Sequence, residues 1–179
     1  MELGAQVVKK YAYRNNEVLI NIYYGNDAKK KYDTFSYNIL TNTYIAIQEL
    51  SNMYIYNVHS ANDTLFLNVL NVNTQENEIY MLRESIIRKI DIPEKYAVAN
   101  VFYIGDVYYL NVINIPSAEK EVYALKNDIV QLCNFNGWIE YVVKDKDIFI
   151  VQVVKNDTTT IQYKTDGVIW TSIHTCNVL

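Results

Sequence analysis

The sequence predicts an all-β protein made of four consecutive four-stranded antiparallel sheets. Three observations predict it. First, the 179 residues include 17 Tyr but only 5 Gly and 2 Pro, with heavy use of Ile and Asn. Tyr and Ile favour strands, and Asn favours turns. Second, one short pattern recurs four times: Asn16 to Ile22 (NEVLINI), Asp63 to Val69 (DTLFLNV), Asp106 to Val112 (DVYYLNV) and Asp147 to Val153 (DIFIVQV). Each copy has a turn-forming Asn or Asp, a mostly apolar run, an amide, then Ile or Val. Third, the copies start 47, 43 and 41 residues apart and keep the same neighbours.

Those neighbours define four repeats, about 6–50, 51–94, 95–136 and 137–179, within a single domain. An apolar strand A comes first, at 7–13, 53–58, 98–104 and 138–143. The recurring pattern is strand B. A polar B–C loop follows, at 25–33, 73–77, 116–120 and 155–159. A hairpin of strands C and D closes each repeat, at 34–47, 78–90, 121–132 and 160–173. The hairpin turns contain Asn42, Ser85, Asn127 with Asp128, and Asp166 with Gly167. Such residues supply Asx hydrogen bonds or positive φ. Strand B is apolar at consecutive positions (Leu65, Phe66, Leu67; Tyr108, Tyr109, Leu110; Ile148, Phe149, Ile150). A half-solvated antiparallel strand would alternate, so strand B is expected to be covered on both faces.

A four-stranded sheet cannot bury both faces alone, and stacking such sheets about an axis does bury them. A period of ~40–45 residues is that of propeller blades. The chain resembles a four-bladed β-propeller, with blades over nearly its whole length. The resemblance is of architecture, since the WD dipeptide and the kelch double glycine are absent. The stretch from Tyr163 to Trp170 resembles a degenerate Asp-box, with Asp166, Gly167 and Trp170 in place but Tyr163 and Thr165 at the usual Ser and Asp positions. It serves as a fold marker, and no glycosidase function is carried over from it. Four blades could close one ring, as in hemopexin-like domains, with the first and fourth held by side-chain packing. Alternatively, the chain is half of a larger propeller completed by dimerisation, part of a longer propeller, or an open stack.

The formal net charge of −4 and pI near 5.2 argue against nucleic acid, which calls for a basic face. The Lys29 to Lys31 run, beside Asp27 and Asp33, reads as a solvated loop. No apolar stretch reaches the ~20 residues of a membrane span. The N-terminus has no apolar signal region, which leaves a cytoplasmic chain as the default and an extracellular or virion location open. Cys133 and Cys176 are too few for a disulfide framework.

Asn21, Asn68, Asn111 and Gln152 share one position in every repeat. The expectation is structural: buried amides satisfying neighbouring backbone groups. Tyr24, Tyr32, Tyr96 and Trp138 fall outside obvious strand cores and could offer faces to sugars or to a protein. His174 and Cys176 share a strand face with Cys133 at an equivalent place, but the spacing is no zinc signature. His59 and Ser60 fall in the expected first turn of the second repeat, and adjacency makes no catalytic dyad. Asp63, Asp106 and Asp147 read as turn residues before strand B.

The expected function is therefore non-catalytic: a binding or assembly module, monomeric or homodimeric, needing no cofactor or metal. It would present propeller loops to a protein partner, because loops on a rigid scaffold carry function. The candidate residues are Tyr24, Asn26, Asp27 and Lys30 in the longest B–C loop. Asn73, Gln75, Asn114, Asn156 and Asp157 are their counterparts in the other repeats. A lectin-like carbohydrate binder is the alternative, and a glycosidase on a propeller scaffold a lower one.

Overall fold

The computed structural model describes residues 5–14, 16–25, 31–93, 95–133, 137–155, 159–167 and 169–177. The described residues form sixteen strands in four separate sheets. The first sheet is β1 (Ala5–Arg14), β2 (Glu17–Tyr24), β3 (Lys31–Asn38) and β4 (Thr43–Ala46). The second is β5 (Met53–Ala61), β6 (Thr64–Asn71), β7 (Asn77–Arg83) and β8 (Ile86–Ile90). The third is β9 (Tyr96–Ile104), β10 (Val107–Asn114), β11 (Lys120–Lys126) and β12 (Ile129–Leu132). The fourth is β13 (Trp138–Asp145), β14 (Ile148–Lys155), β15 (Thr159–Thr165) and β16 (Trp170–Asn177). In every sheet the spatial order equals the chain order, with all pairs antiparallel. These are four up-and-down propeller blades, and the chain is a β-propeller repeat protein.

The blades group into two compact units, Met1–Glu94 and Lys95–Leu179. In the first unit Leu19 of β2 packs with Leu50, Ile55, Leu65, Leu67 and Leu82, between blades one and two. In the second, Ile104, Tyr109 and Val122 pack with Ile139, Val151 and Val153, between blades three and four. Strand B behaves as expected in the middle blades: Thr64 to Val69 and Val107 to Val112 are buried at every position. In β14 the expectation fails. Val151 and Val153 are buried, but Ile150 on the opposite face is 37% exposed, as is neighbouring Tyr141 at 58%.

The scarcity of glycine is met in the turns. Tight two-residue hairpin turns want positive φ at both central positions. Asn62 and Asp63 (φ 44 and 57), Glu84 and Ser85 (51 and 64), and Asn127 and Asp128 (49 and 64) all adopt it. Two of the five glycines do something no other residue could. Gly105 follows β9 and Gly167 follows β15, and their backbones touch: a Cβ on Gly105 would lie 2.4 Å from the Cα of Gly167. The Asp-box-like turn thus leans on blade three. Its Gly167 N–H donates to Thr165 Oγ1 at 2.9 Å and its Ile169 N–H to Asp166 Oδ1 at 2.9 Å. Trp170 then packs edge-on to Tyr109, 5.3 Å between centroids, and its indole N–H donates to the Tyr109 hydroxyl at 3.3 Å.

Some boundaries differ from expectation. β3 starts at Lys31, inside the stretch read as loop, because Lys31 pairs with Tyr24 and its ammonium meets Asp33 Oδ2 at 3.0 Å. His59 and Ser60 lie in β5 rather than in a turn, which falls at Asn62 and Asp63 instead.

Strand C carries a repeated pair that the composition did not suggest. The Tyr80 hydroxyl donates to Glu78 Oε2 at 2.7 Å, and Tyr123 to Glu121 Oε2 at 2.9 Å. Burial pushes the Glu78 carboxyl up, but the Tyr80 hydroxyl, the Lys89 ammonium at 3.3 Å and Asn71 together hold it below its ordinary value. A depressed carboxyl stabilises the fold at neutral pH, and that contribution disappears as the pH falls through its folded-state value. Urea unfolding of wild type and Glu78→Gln should therefore show a stability gap near pH 6 that closes toward pH 3. A gap independent of pH would show that the ionised carboxylate is not what stabilises.

Candidate functional site

The amide position is the most regular feature of the repeat, and its job is visible in each unit. Asn21 Nδ2 donates to Met53 O at 3.1 Å and to Thr34 Oγ1 at 3.0 Å, while its Oδ1 accepts from Ile55 N at 3.3 Å. Asn111 Nδ2 donates to Ile139 O at 2.6 Å, and its Oδ1 accepts from Ile139 N at 3.2 Å. In both units, strand B of one blade thus hydrogen-bonds the outer backbone edge of strand A in the next. An edge strand has unpaired backbone groups on one side, and an amide can answer both a donor and an acceptor. Strand A is shaped for this. Each of β5, β9 and β13 has a register shift at its middle, at Tyr56, Ala99 and Glu140. Ile55 and Ile139, the residues gripped, stand just before the shift. Bulges of this kind re-aim backbone and side chains. Gln152 holds the same place in blade four but donates to Glu140 Oε2 at 2.7 Å, within its own sheet. The amide set is therefore structural at Asn21 and Asn111, as expected, and it joins blades rather than lining a site.

The B–C loops expected to bind are partly described. Asn26, Asp27, Lys30, Asn156 and Asp157 lie outside the described residues. Tyr24 is half-buried at the end of β2. Asn73 and Gln75 are exposed, and the Gln75 side chain donates to Val72 O at 2.7 Å. Asn114 is buried and is not the counterpart of Asn73. Its backbone bonds to Glu119 and Ala118 repeat those of Asn71 to Glu76 and Gln75, so Asn114 matches Asn71. Both frame their loops: Asn71 Oδ1 accepts from Asn73 N at 3.0 Å and Asn114 Oδ1 from Ser117 N at 3.3 Å.

Of the tyrosines expected to offer faces, Tyr96 is 5% exposed inside β9. Tyr32 belongs to a chain of half-buried rings, 5.1 Å from Tyr23 and 5.3 Å from Tyr54. Lys9 Nζ donates to the Tyr54 hydroxyl at 2.7 Å and sits 4.3 Å from the ring centre. This chain stiffens the B–C end of the first unit. Cys133 and His174 stand on neighbouring sheets, and burial pushes the Cys133 thiol up to about 11, which makes it a poor nucleophile at neutral pH.

A broad cleft lies at the other end of the first unit. About 670 Å³ in volume, it is lined by Asn16, Glu17, Asn38, Asn62, Asp63, Arg83 and Glu84. All seven come from A–B and C–D turns or the strand ends beside them. Antiparallel order brings these turns to one end of both blades. Three carboxylates face one guanidinium there, so the cleft is net negative. Glu17 Oε2 is buried and meets no hydrogen-bond donor. Asp63 is the turn residue that its place before strand B predicts, and no local signal marks it otherwise. The signal was available only as a pattern: acidic residues in two turn sets that the meander must bring to the same end.

No protein-family model matches the chain, and no curated protein matches it. Among solved structures it is similar to the β-propeller domain of the Trilobed protease from Pyrococcus furiosus, described as having an open velcro topology. The match covers 95% of this chain and 72% of that one, at 11% identity and a TM-score of 0.39. Each blade is defined by the topology and register of its own sheet.

Proposed function

We propose that the chain is a non-catalytic binding module that takes a cationic segment of a protein partner in the acidic cleft of its first unit. The observation that carries this reading is the buried, unsatisfied Glu17 Oε2 in a cleft that also holds Asp63 and Glu84. A buried carboxylate oxygen calls for a donor. A Lys or Arg side chain supplies several, with charge-assisted strength. Turn residues on a rigid blade scaffold suit recognition, since the scaffold bears the cost of order.

The test is a titration of the ¹⁵N-labelled chain with a capped Gly-Arg-Gly tripeptide, using capped Gly-Glu-Gly as control. The arginine peptide should shift the amides of Glu17, Asn62 and Asp63 saturably. The double variant Glu17→Gln, Asp63→Asn should weaken it at least tenfold. Equal response to both peptides, or an unchanged affinity in the variant, sinks the cleft as the site. A short turn in place of residues 25–33 serves as the second arm. Loss of binding there, with the cleft variants unaffected, moves the partner site to the loop of Tyr24, Asn26, Asp27 and Lys30.

A further inference from the structure

We propose that the chain pairs with a second copy of itself through β4, the outer strand of blade one. The two β4 strands run antiparallel and join the two copies of blade one into a single sheet. The backbone fixes which groups are available for this. Ile39 N–H donates to Asn16 O and Ile47 N–H to Thr34 O, both at 2.8 Å. Bonded and non-bonded pairs alternate along an antiparallel ladder. Given the registers of β3 with β2 and β4, Phe35 and Tyr37 therefore turn their backbone groups to β2, and Ser36 and Asn38 turn theirs to β4. Thr43 and Ile45 answer β3 in return. The N–H and C=O groups of Tyr44 and Ala46 point away from the blade, and no described residue meets them.

The side chains leave this edge unguarded. Edge strands are ordinarily protected by Lys, Pro or a bulge. β8 has Arg88 and Lys89, and β16 has an extra residue, Ile173, in its ladder. β4 reads Thr-Tyr-Ile-Ala and has no register shift. No charged residue occurs from Thr34 to Gln48, the longest such run in the chain. Tyr44 and Ile45 are 62% and 68% exposed. The hairpin is nevertheless held in place. Tyr44 stacks on Tyr37 at 4.5 Å, the Tyr37 hydroxyl donates to Asn42 Oδ1 at 3.0 Å, and Asn38 Oδ1 accepts from Leu40 N and Thr41 N. Order present before pairing lowers its cost.

A second copy fits the edge because the edge complements itself. Copies with a net charge of −4 repel one another in general, but this hairpin brings no charge to the contact. A two-fold axis at Ile45 sets Tyr44 opposite Ala46 of the second copy, and Ala46 opposite its Tyr44. Both pairs are then hydrogen-bonded and use every outward backbone group of the two strands. Ile45 meets its own counterpart in the close, non-bonded pair, and the small Ala46 side chain leaves room for the Tyr44 ring. Such an isologous joint closes on itself and stops at two copies. β4 is short, so the pairing is reversible and depends on concentration. It needs nothing from the acidic cleft.

Sedimentation equilibrium at rising concentration should show the mass climb from 20.9 kDa toward twice that value. Ala46→Pro removes an outward N–H and no bond within the blade, so it should stay monomeric with the circular dichroism of wild type. Leu132→Pro is the matched change in blade three, where Cys133 N–H donates to Val122 O as Ile47 does to Thr34, and it should dimerise normally. Ile45→Lys and Ile45→Glu should each be monomeric alone, since like charges face across the axis, and their mixture should dimerise. The proposal is overturned by a wild type that stays at 20.9 kDa, by an Ala46→Pro chain that dimerises normally, by loss of the dimer in Leu132→Pro, or by a mixture no heavier than its parts. A monomer whose Tyr44 and Ala46 amides shift with a capped Thr-Tyr-Ile-Ala peptide gives the edge to a strand of another protein instead. Should Ala46→Pro not fold, the charge-swapped mixture decides, because Ile45 is exposed.

Discussion

Gly167→Ala should be the most damaging single substitution in the second unit, lowering stability by about 3 kcal/mol or more. Two costs add. The residue has φ +99, where an L side chain is strained, and its new Cβ would sit 2.4 Å from Gly105 Cα and 2.8 Å from Gly105 O. Backbone cannot step aside as a side chain tip can. Gly105→Ala meets the mirror problem, against Gly167 Cα at 2.4 Å and Asp166 O at 2.6 Å, and should cost a comparable amount. Asp166→Ala, by contrast, removes only the bond to Ile169 N and should cost about 1 kcal/mol. Chemical denaturation of the three variants orders them. If the glycine variants lose no more than Asp166→Ala, the two turns are not in contact.

Asn111→Ala is the second large effect, at about 2–4 kcal/mol, because it strips two buried backbone groups of their partner. Ile139 N–H and C=O are both held by this one side chain, and Ile139 is buried. Asn111→Asp should do no better: it can still accept from Ile139 N–H but faces the Ile139 carbonyl with a charge at 2.6 Å. Gln152→Ala occupies the same repeat position yet should cost under about 1 kcal/mol, since Gln152 is only half-buried and bonds within its own sheet. Thermal unfolding of the pair measures the contrast. Equal losses at Asn111 and Gln152 would mean that the amide acts inside its own blade and not as a joint.

The same contrast shows what could be read from residue order. Strand B was legible because each copy keeps an amide at a fixed place between apolar neighbours, and four copies outvote local noise. That the amide is structural was also legible. Its partner was not, because Ile55 and Ile139 are marked by nothing in their side chains. They are gripped through backbone atoms exposed by a register shift whose central residues, Tyr56, Ala99 and Glu140, share no property. Register is set by pairing across strands, which a single strand does not display. The Asn73 and Asn114 mismatch has the same root: the loops align on hydrogen bonds, and the matching side chain sits at Asn71.

The acidic cleft was hidden for a different reason. Glu17, Asp63 and Glu84 are far apart in the chain, and each is ordinary as a turn residue. They meet because a meander returns every A–B and C–D turn to one end. By contrast, Gly105 and Gly167 could have been suspected, since a chain this poor in glycine spends it where nothing else fits.

The chain-order meander also sets how the molecule can be made. Every ladder joins strands that follow one another, such as β1 with β2 and β6 with β7, across turns of a few residues. Loop closure is cheap at that length, and local pairing gives low contact order and quick folding for a β-protein. A blade is complete once its own ~40 residues have emerged from the ribosome, before the next blade has been synthesised. Nascent strand edges, the usual sites of mispairing between chains, are therefore exposed for little longer than it takes to translate one hairpin.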